Sequence, residues 1–121
     1  MKYPARFHWG TATAAHQVEG GNTNSDFWLL EHVDGTAFME PSGDACDHYH
    51  RYAEELARIA SLGFNAYRFS IEWARVEPAV DELSLAPLEH YCRMLAADGT
   101  RVRRLRRMRA TASASRITSA M

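Results

Sequence analysis

The stretch that decides the fold is DHYHRYAEELARIASLGFNAYRFSIEW, from Asp47 to Trp73. Asp47 stands where a helix N-cap is expected, and Gly63 stands where a helix C-cap belongs. Between them the apolar side chains recur at helical spacing: Tyr49, Tyr52, Ala53, Leu56, Ile59 and Ala60. After Gly63 the pattern changes to alternation, with Tyr67, Phe69 and Ile71 on one side and Arg68 and Ser70 on the other. The stretch therefore predicts a helix followed at once by a strand.

A second strand and a second helix flank this stretch. Residues Phe7 to Ala12 are typical of a short strand, with a glycine where packing is close. Residues 21–45 form a long predicted loop, in which DFWLLEH indicates one or two helical turns. The second helix is predicted from Leu85 or Ala86 to Ala97, with its apolar stripe made of Leu88, Tyr91, Cys92 and Leu95. The resulting order predicts an α/β fold of two β/α units with parallel strands.

Arg68 is the unusual residue of the predicted strand. In a barrel, the polar end of the inner strand face points into the site, and Arg68 then looks toward a charged group. In an edge strand, the same arginine lies in solvent. The pattern alone leaves both interpretations open.

The stretch FHWGTATAAHQVEGG, Phe7 to Gly21, places small residues between aromatic side chains and a polar trio, His16, Gln17 and Glu19. Small side chains allow a close approach of the backbone, and Gln and Glu offer directed hydrogen bonds. This combination suits the end of a strand that opens onto a polar ligand. It does not name the ligand.

The composition divides the 121 residues into two parts. Residues 1–97 contain seven basic and 14 acidic side chains, whereas residues 98–121 contain seven arginines and one aspartate. All thirteen aromatic residues lie in the first part. Three interpretations of the 98–121 tail stay open: a nucleic-acid arm, a disordered basic end, or a segment read out of frame, which explains the abrupt change best.

Several classes of protein are disfavoured by the sequence. No run approaches the roughly 20 apolar residues of a membrane helix, and the N-terminus lacks a secretory h-region. With two cysteines and no zinc-type spacing, we expect a cytoplasmic protein. The cluster GDACDHYH resembles a metal site, but on a helix His48 and His50 lie about 200° apart, so we expect capping and packing roles and no metal. The tail lacks aromatic residues for base stacking, which disfavours a nucleic-acid partner.

Four segments together resemble glycoside hydrolase family 1, the β-glucosidase-type enzymes: FHWGTATAAHQVEGG, SDFWLLEH, GDACDHYHRYAEELARIASLGFNAYRFSIEWARVEPA and LAPLEHYCRML. The resemblance runs from about Phe7 to Leu95. It implies a (β/α)8 barrel that cleaves β-glycosides with retention of configuration, through two glutamates and without a cofactor.

The resemblance also implies roles for individual residues. Gln17 matches the glutamine that hydrogen-bonds hydroxyls of a glucose-like sugar, and its amide both donates and accepts. Arg68 matches the arginine that orients the nucleophilic carboxylate and keeps it ionised. Glu19 and Trp73 match motif positions, for which we expect roles in shaping the site.

The sequence departs from the family pattern in its catalytic residues. Neither the Asn-Glu-Pro motif of the acid/base nor the Glu-Asn-Gly motif of the nucleophile occurs in the 121 residues. We therefore expect residues 1–97 to form the first two β/α units of an incomplete barrel without catalytic residues, inactive alone and prone to self-association through exposed barrel edges. The alternatives are a non-catalytic carbohydrate-binding fragment and, less favoured, a nucleic-acid-binding protein that acts through the tail.

Overall fold

The computed structural model of the protein describes residues 3–97. In chain order the elements are β1 (Gly10–Ala12), α1 (Ala15–Val18), α2 (Asp26–Glu31), α3 (His48–Ser61), β2 (Ala66–Arg68), α4 (Trp73–Val76) and α5 (Leu85–Ala97). The predicted basic tail and its three interpretations lie outside the described residues.

The two strands pair in parallel, as predicted. Gly10 lies opposite Ala66, Thr11 opposite Tyr67 and Ala12 opposite Arg68. A β-carbon on Gly10 would lie 2.4 Å from the carbonyl oxygen of Ala66, so this position of the strand has room only for glycine. The expectation of close packing at this glycine is confirmed.

The first strand is shorter than the predicted Phe7–Ala12. The Asn65 side chain accepts a hydrogen bond from the Trp9 backbone N–H (2.7 Å) and donates one to the Phe7 carbonyl (3.1 Å), so a side chain is the partner of these two backbone groups. The aromatic rings of this segment form a cluster instead, with each pair of ring centroids 4.8 Å apart: Tyr3, Phe7 and Trp9.

The helix α3 begins and ends where the sequence predicts. Gly63 follows it with a φ of 86°, in the left-handed region that ends many helices. Asp47 precedes it, but its own φ is 54° and its side chain makes no cap bond to the helix backbone. Its carboxylate accepts a hydrogen bond from the His50 ring at 2.6 Å instead. The position of the cap is thus confirmed, and its predicted chemistry is wrong.

The hydrophobic core lies between the strands and the helices α3 to α5. Its buried members are Leu56, Tyr67, Phe69, Val76, Tyr91 and Met94. Tyr67 and Phe69 are buried and Arg68 is exposed, as the alternation predicts. Ile71, predicted on the buried side, is 37% exposed because β2 ends at Arg68 and the alternation stops with it.

The helix α5 presents a different stripe from the predicted one. Tyr91 and Met94 are buried and Leu95 packs against the core, but Leu88 is 40% exposed and Cys92 is exposed. The helix is rotated so that the Tyr91 hydroxyl reaches a buried polar group, described below. A polar contact therefore selects the buried face, and apolar periodicity alone does not reveal it.

Candidate functional site

The carboxyl ends of β1 and β2 are joined by three hydrogen bonds. The Thr13 N–H donates to the Arg68 carbonyl (3.0 Å), and the Ala15 N–H donates to Ser70 Oγ (2.8 Å). The hydroxyls of Thr13 and Tyr67 lie 2.6 Å apart. Because carboxyl ends of parallel strands carry the sites of α/β proteins, this edge is where a site is expected.

The polar trio His16, Gln17 and Glu19 does not share one environment at this edge. Ala15 and Glu19 are buried at 5% and 2% exposure, whereas Gln17 is exposed. Positions i and i+4 share a helix face, and position i+2 lies about 200° from the first of them. Burial of Ala15 and Glu19 therefore turns Gln17 outward.

His16 faces the protein. Its Nε2 lies 2.7 Å from Glu31 Oε1, its Nδ1 lies 3.1 Å from Ser25 Oγ, and its ring stacks on Phe27. Burial opposes ionisation of Glu31, but hydrogen bonds from the Ser42 backbone and from His16 outweigh it, so the pKa of Glu31 lies below its ordinary value.

The Ser25–His16–Glu31 contacts do not form a hydrolytic triad. Ser25 is buried, donates its hydroxyl hydrogen to the Asn22 carbonyl (2.9 Å), and accepts the Trp28 N–H as the cap of α2. A nucleophile must be accessible and must share its hydrogen with the base. These residues therefore fix the loop that follows α1.

Glu19 lies in a buried polar network. The Tyr91 hydroxyl is 2.9 and 3.0 Å from its two carboxylate oxygens, and Arg75 Nε lies 3.3 Å from Oε2. Burial raises the pKa of Glu19, and Tyr91 and Arg75 offset part of that rise. Burial and the charge of Glu19 raise the pKa of Tyr91 well above its ordinary value, so this phenol stays a donor.

Arg68 is the last residue of β2 and is exposed. Among residues 3–97, the salt bridges involve other cationic side chains, namely those of His16, His48, His50, Arg51 and Arg75. Within that part of the chain the Arg68 guanidinium thus has no carboxylate partner.

Trp73 begins α4 and packs against the hydrophobic core. Its indole N–H donates to Glu77 Oε2 at 2.6 Å. This contact lies within α4 and its C-cap, and the site-shaping role of Trp73 stays a prediction.

The histidines of the GDACDHYH cluster have separate partners. His48 is buried and bonds to Glu55, whereas His50 bonds to Asp47. In the described part of the chain, no three His, Cys, Asp or Glu side chains are grouped as metal ligands would be. Nor is any helix of that part long and apolar enough to cross a membrane.

No sequence pattern predicts the roles of Arg75, Tyr91 and Asn22 in this network. Arg75 donates to Gly20 O (2.6 Å) and Asn22 Oδ1 (2.8 Å), and its guanidinium lies 4.2 Å from the Tyr49 ring centroid. The two hydrogen bonds join residues more than 50 positions apart. The available signal was an arginine inside the short segment EWARVEP, which local spacing does not connect to Glu19.

Comparison with known proteins places these features in a family. The model of glycosyl hydrolase family 1 matches residues 1–101. The thermostable beta-glucosidase B of Thermobispora bispora is 39% identical over 100 residues, which cover 78% of this chain and 21% of the relative. The chain thus spans about a fifth of the length of this relative.

Solved structures of β-glycosidases superpose on this chain. The crystal structure of the beta-glycosidase BGL167 superposes with a TM-score of 0.76 at 62% identity, over 79% of this chain and 23% of that chain. A family 1 beta-glucosidase from Humicola insolens, solved in complex with glucose, superposes with a TM-score of 0.70 at 35% identity, over 81% of this chain and 22% of that chain. The two strands and their helices are therefore the first two β/α units of a (β/α)8 barrel, and the chain belongs to glycosyl hydrolase family 1.

Proposed function

We propose that residues 1–97 supply the sugar-recognising first quarter of a retaining β-glycosidase barrel. In this assignment Gln17 hydrogen-bonds hydroxyls of a glucose-like sugar, and Arg68 holds the nucleophilic carboxylate ionised. The acid/base and the nucleophile are glutamates of later strands, whose motifs are absent from the 121 residues. No cofactor takes part in the proposed double displacement.

The observation that carries the proposal is the placement of Gln17 and Arg68. Arg68 is the last residue of β2, and Gln17 lies in the turn α1 that follows the parallel partner strand β1. Both side chains are exposed, while His16 and Glu19 are held by protein partners. A side chain that is held outward at such an edge is available to a ligand. The relative solved with glucose supports a sugar as that ligand.

We also propose a cytoplasmic location. Both cysteines, Cys46 and Cys92, are exposed and free. Free exposed thiols are typical of reducing compartments, which supports this location.

The 121-residue chain is expected to show no turnover of a chromogenic β-glucoside above the buffer rate. Double displacement needs a nucleophile and an acid/base, and neither motif is present. The assay uses full-length BGL167 as the positive control. Saturable hydrolysis by the purified chain would contradict the proposed division of roles.

A chimera tests the proposed role of Gln17. Residues 1–97 replace the matching N-terminal part of BGL167, and the chimera is expected to hydrolyse the β-glucoside. Replacing Gln17 by alanine removes bonds to two hydroxyls and is expected to lower kcat/KM roughly tenfold to a hundredfold. Thr23→Ala, at an exposed position of the following loop, is the control and should leave kcat/KM unchanged. An inactive chimera, or equal rates for Gln17→Ala and its parent, would contradict the assignment.

A further inference from the structure

We propose that Tyr91 and Arg75 are positioning residues for Gln17, acting through the buried carboxylate of Glu19. The inference rests on the proposed function, since it explains how the sugar-facing side chain is held. The contacts involved join α5 and α4 to the turn α1, and the sequence patterns do not indicate them.

The turn α1 needs partners from elsewhere in the chain. It has only four residues, Ala15–Val18, and a helix of one turn is not stable alone because nucleation is costly. Its first N–H donates to Ser70 Oγ at 2.8 Å, so the segment that follows β2 fixes its beginning. Ala14, its N-cap, offers no side-chain bond.

The end of α1 is fixed by the buried network. Glu19 is the C-cap residue, and its N–H donates to the Ala15 carbonyl. Its carboxylate is held by Tyr91 at 2.9 and 3.0 Å and by Arg75 at 3.3 Å. The Tyr91 hydroxyl in turn accepts the Glu72 N–H at 3.0 Å, so it bridges α1 to the start of α4.

Arg75 contacts three positions that follow α1 directly. Besides Glu19, it donates to the Gly20 carbonyl (2.6 Å) and the Asn22 side chain (2.8 Å). Gly20 has a φ of 78°, and a β-carbon there would lie 2.2 Å from the Asp44 carbonyl oxygen. The chain therefore leaves α1 along one path, lined by Asp44 on one side and Arg75 on the other.

Because α1 is helical, holding Glu19 in place also fixes the direction in which the Gln17 side chain points. Glu19 and Ala15 share the buried face, and Gln17 lies about 200° away from each of them along the helix. If Glu19 loses its partners, the carboxyl end of the turn loses its side-chain anchor and keeps the long backbone bond from the Tyr49 N–H to the Glu19 carbonyl (3.4 Å). Tyr91 and Arg75 thus set where the Gln17 amide projects, without touching a ligand themselves.

Hydrogen exchange measured by mass spectrometry on the full chain tests this inference without any sugar. The readout is the exchange of peptides covering 13–21, which contain α1, against peptides covering 48–61, which contain α3. In Tyr91→Phe and in Arg75→Ala, exchange in the α1 peptides is expected to become about tenfold faster, with little change in α3, because a buried carboxylate loses a donor. Tyr52→Phe removes a hydroxyl from α3 at the edge of the core and should leave the α1 peptides unchanged.

Three outcomes would overturn the inference. The first is unchanged exchange of the α1 peptides in both variants. The second is an equal increase in the α1 and α3 peptides, which indicates a general loss of stability. The third is an unprotected α1 in the unsubstituted chain. An inactive chimera, by contrast, counts against the proposed function alone.

Discussion

Replacing Arg68 by methionine in the chimera with BGL167 is expected to lower kcat by a factor on the order of 10² to 10³, with a small change in KM. The size of this effect is that of removing one fixed electrostatic contact at a reacting group. Arg68 ends β2 with an exposed guanidinium that has no carboxylate partner within residues 3–97, so its charge is free to serve a carboxylate from another strand.

The pH profile of the chimera shows in which direction Arg68 shifts the pKa of the nucleophile. A neighbouring cation lowers the pKa of a carboxylate, and a nucleophile must be ionised to attack. Without Arg68 the pKa of the nucleophile rises, so the acidic limb of kcat/KM is expected to move to higher pH.

The chain offers a matched control for this substitution. Arg51 is exposed on α3, and its guanidinium pairs only with Glu54 at 3.2 Å among residues 3–97. Arg51→Met removes the same charge from an exposed position of α3 that has its own carboxylate partner, and it should leave kcat and the pH profile unchanged. A fall in kcat of similar size in both variants, or an unshifted acidic limb in Arg68→Met, would contradict the role of Arg68.

The sequence predicts those parts of the fold that depend on local pattern. The helix α3 and the alternation of Tyr67, Arg68 and Phe69 follow from spacing, because the same residues make the element and bury its face. The parallel pair follows from the order of strand and helix. The strand ends and the one-turn helices α1 and α4 are not predicted, since tertiary hydrogen bonds decide them.

The residues of the candidate site also fall into two groups, those that a local motif predicts and those that only long-range contacts reveal. Gln17 and Arg68 follow from motifs that lie within single segments. The sequence predicts only a site-shaping role for Glu19, whereas in the structure Glu19 is the centre of a buried network with Arg75 and Tyr91. The bond from Tyr91 spans 72 positions, so no local spacing contains it. The same bond explains why α5 buries Tyr91 and Met94 and exposes Leu88.

Self-association of the free chain is the other large effect that we expect. The cluster of Tyr3, Phe7 and Trp9 is 57%, 39% and 48% exposed, although its rings pack on one another. Among the described residues, β1 and β2 pair only with each other, so each has an open edge. Open edges and contiguous apolar surface favour pairing with further copies. In sedimentation velocity, the chain at micromolar concentration should therefore form species larger than a monomer, whose weight-average sedimentation coefficient rises with concentration.

The aromatic cluster can be tested by substitution. Removing its side chains leaves intact the hydrogen bonds that Asn65 donates to the backbone carbonyls of this segment. The double substitution Phe7→Lys and Trp9→Lys is expected to weaken association by about tenfold or more, since burying one such side chain contributes roughly 1.5–3 kcal/mol. Met39→Lys is the control, because Met39 is 96% exposed and its replacement should change little. A monodisperse monomer with a sharp thermal transition would contradict association altogether. Equal weakening by Met39→Lys would show that added charge, rather than loss of the aromatic cluster, disperses the chain.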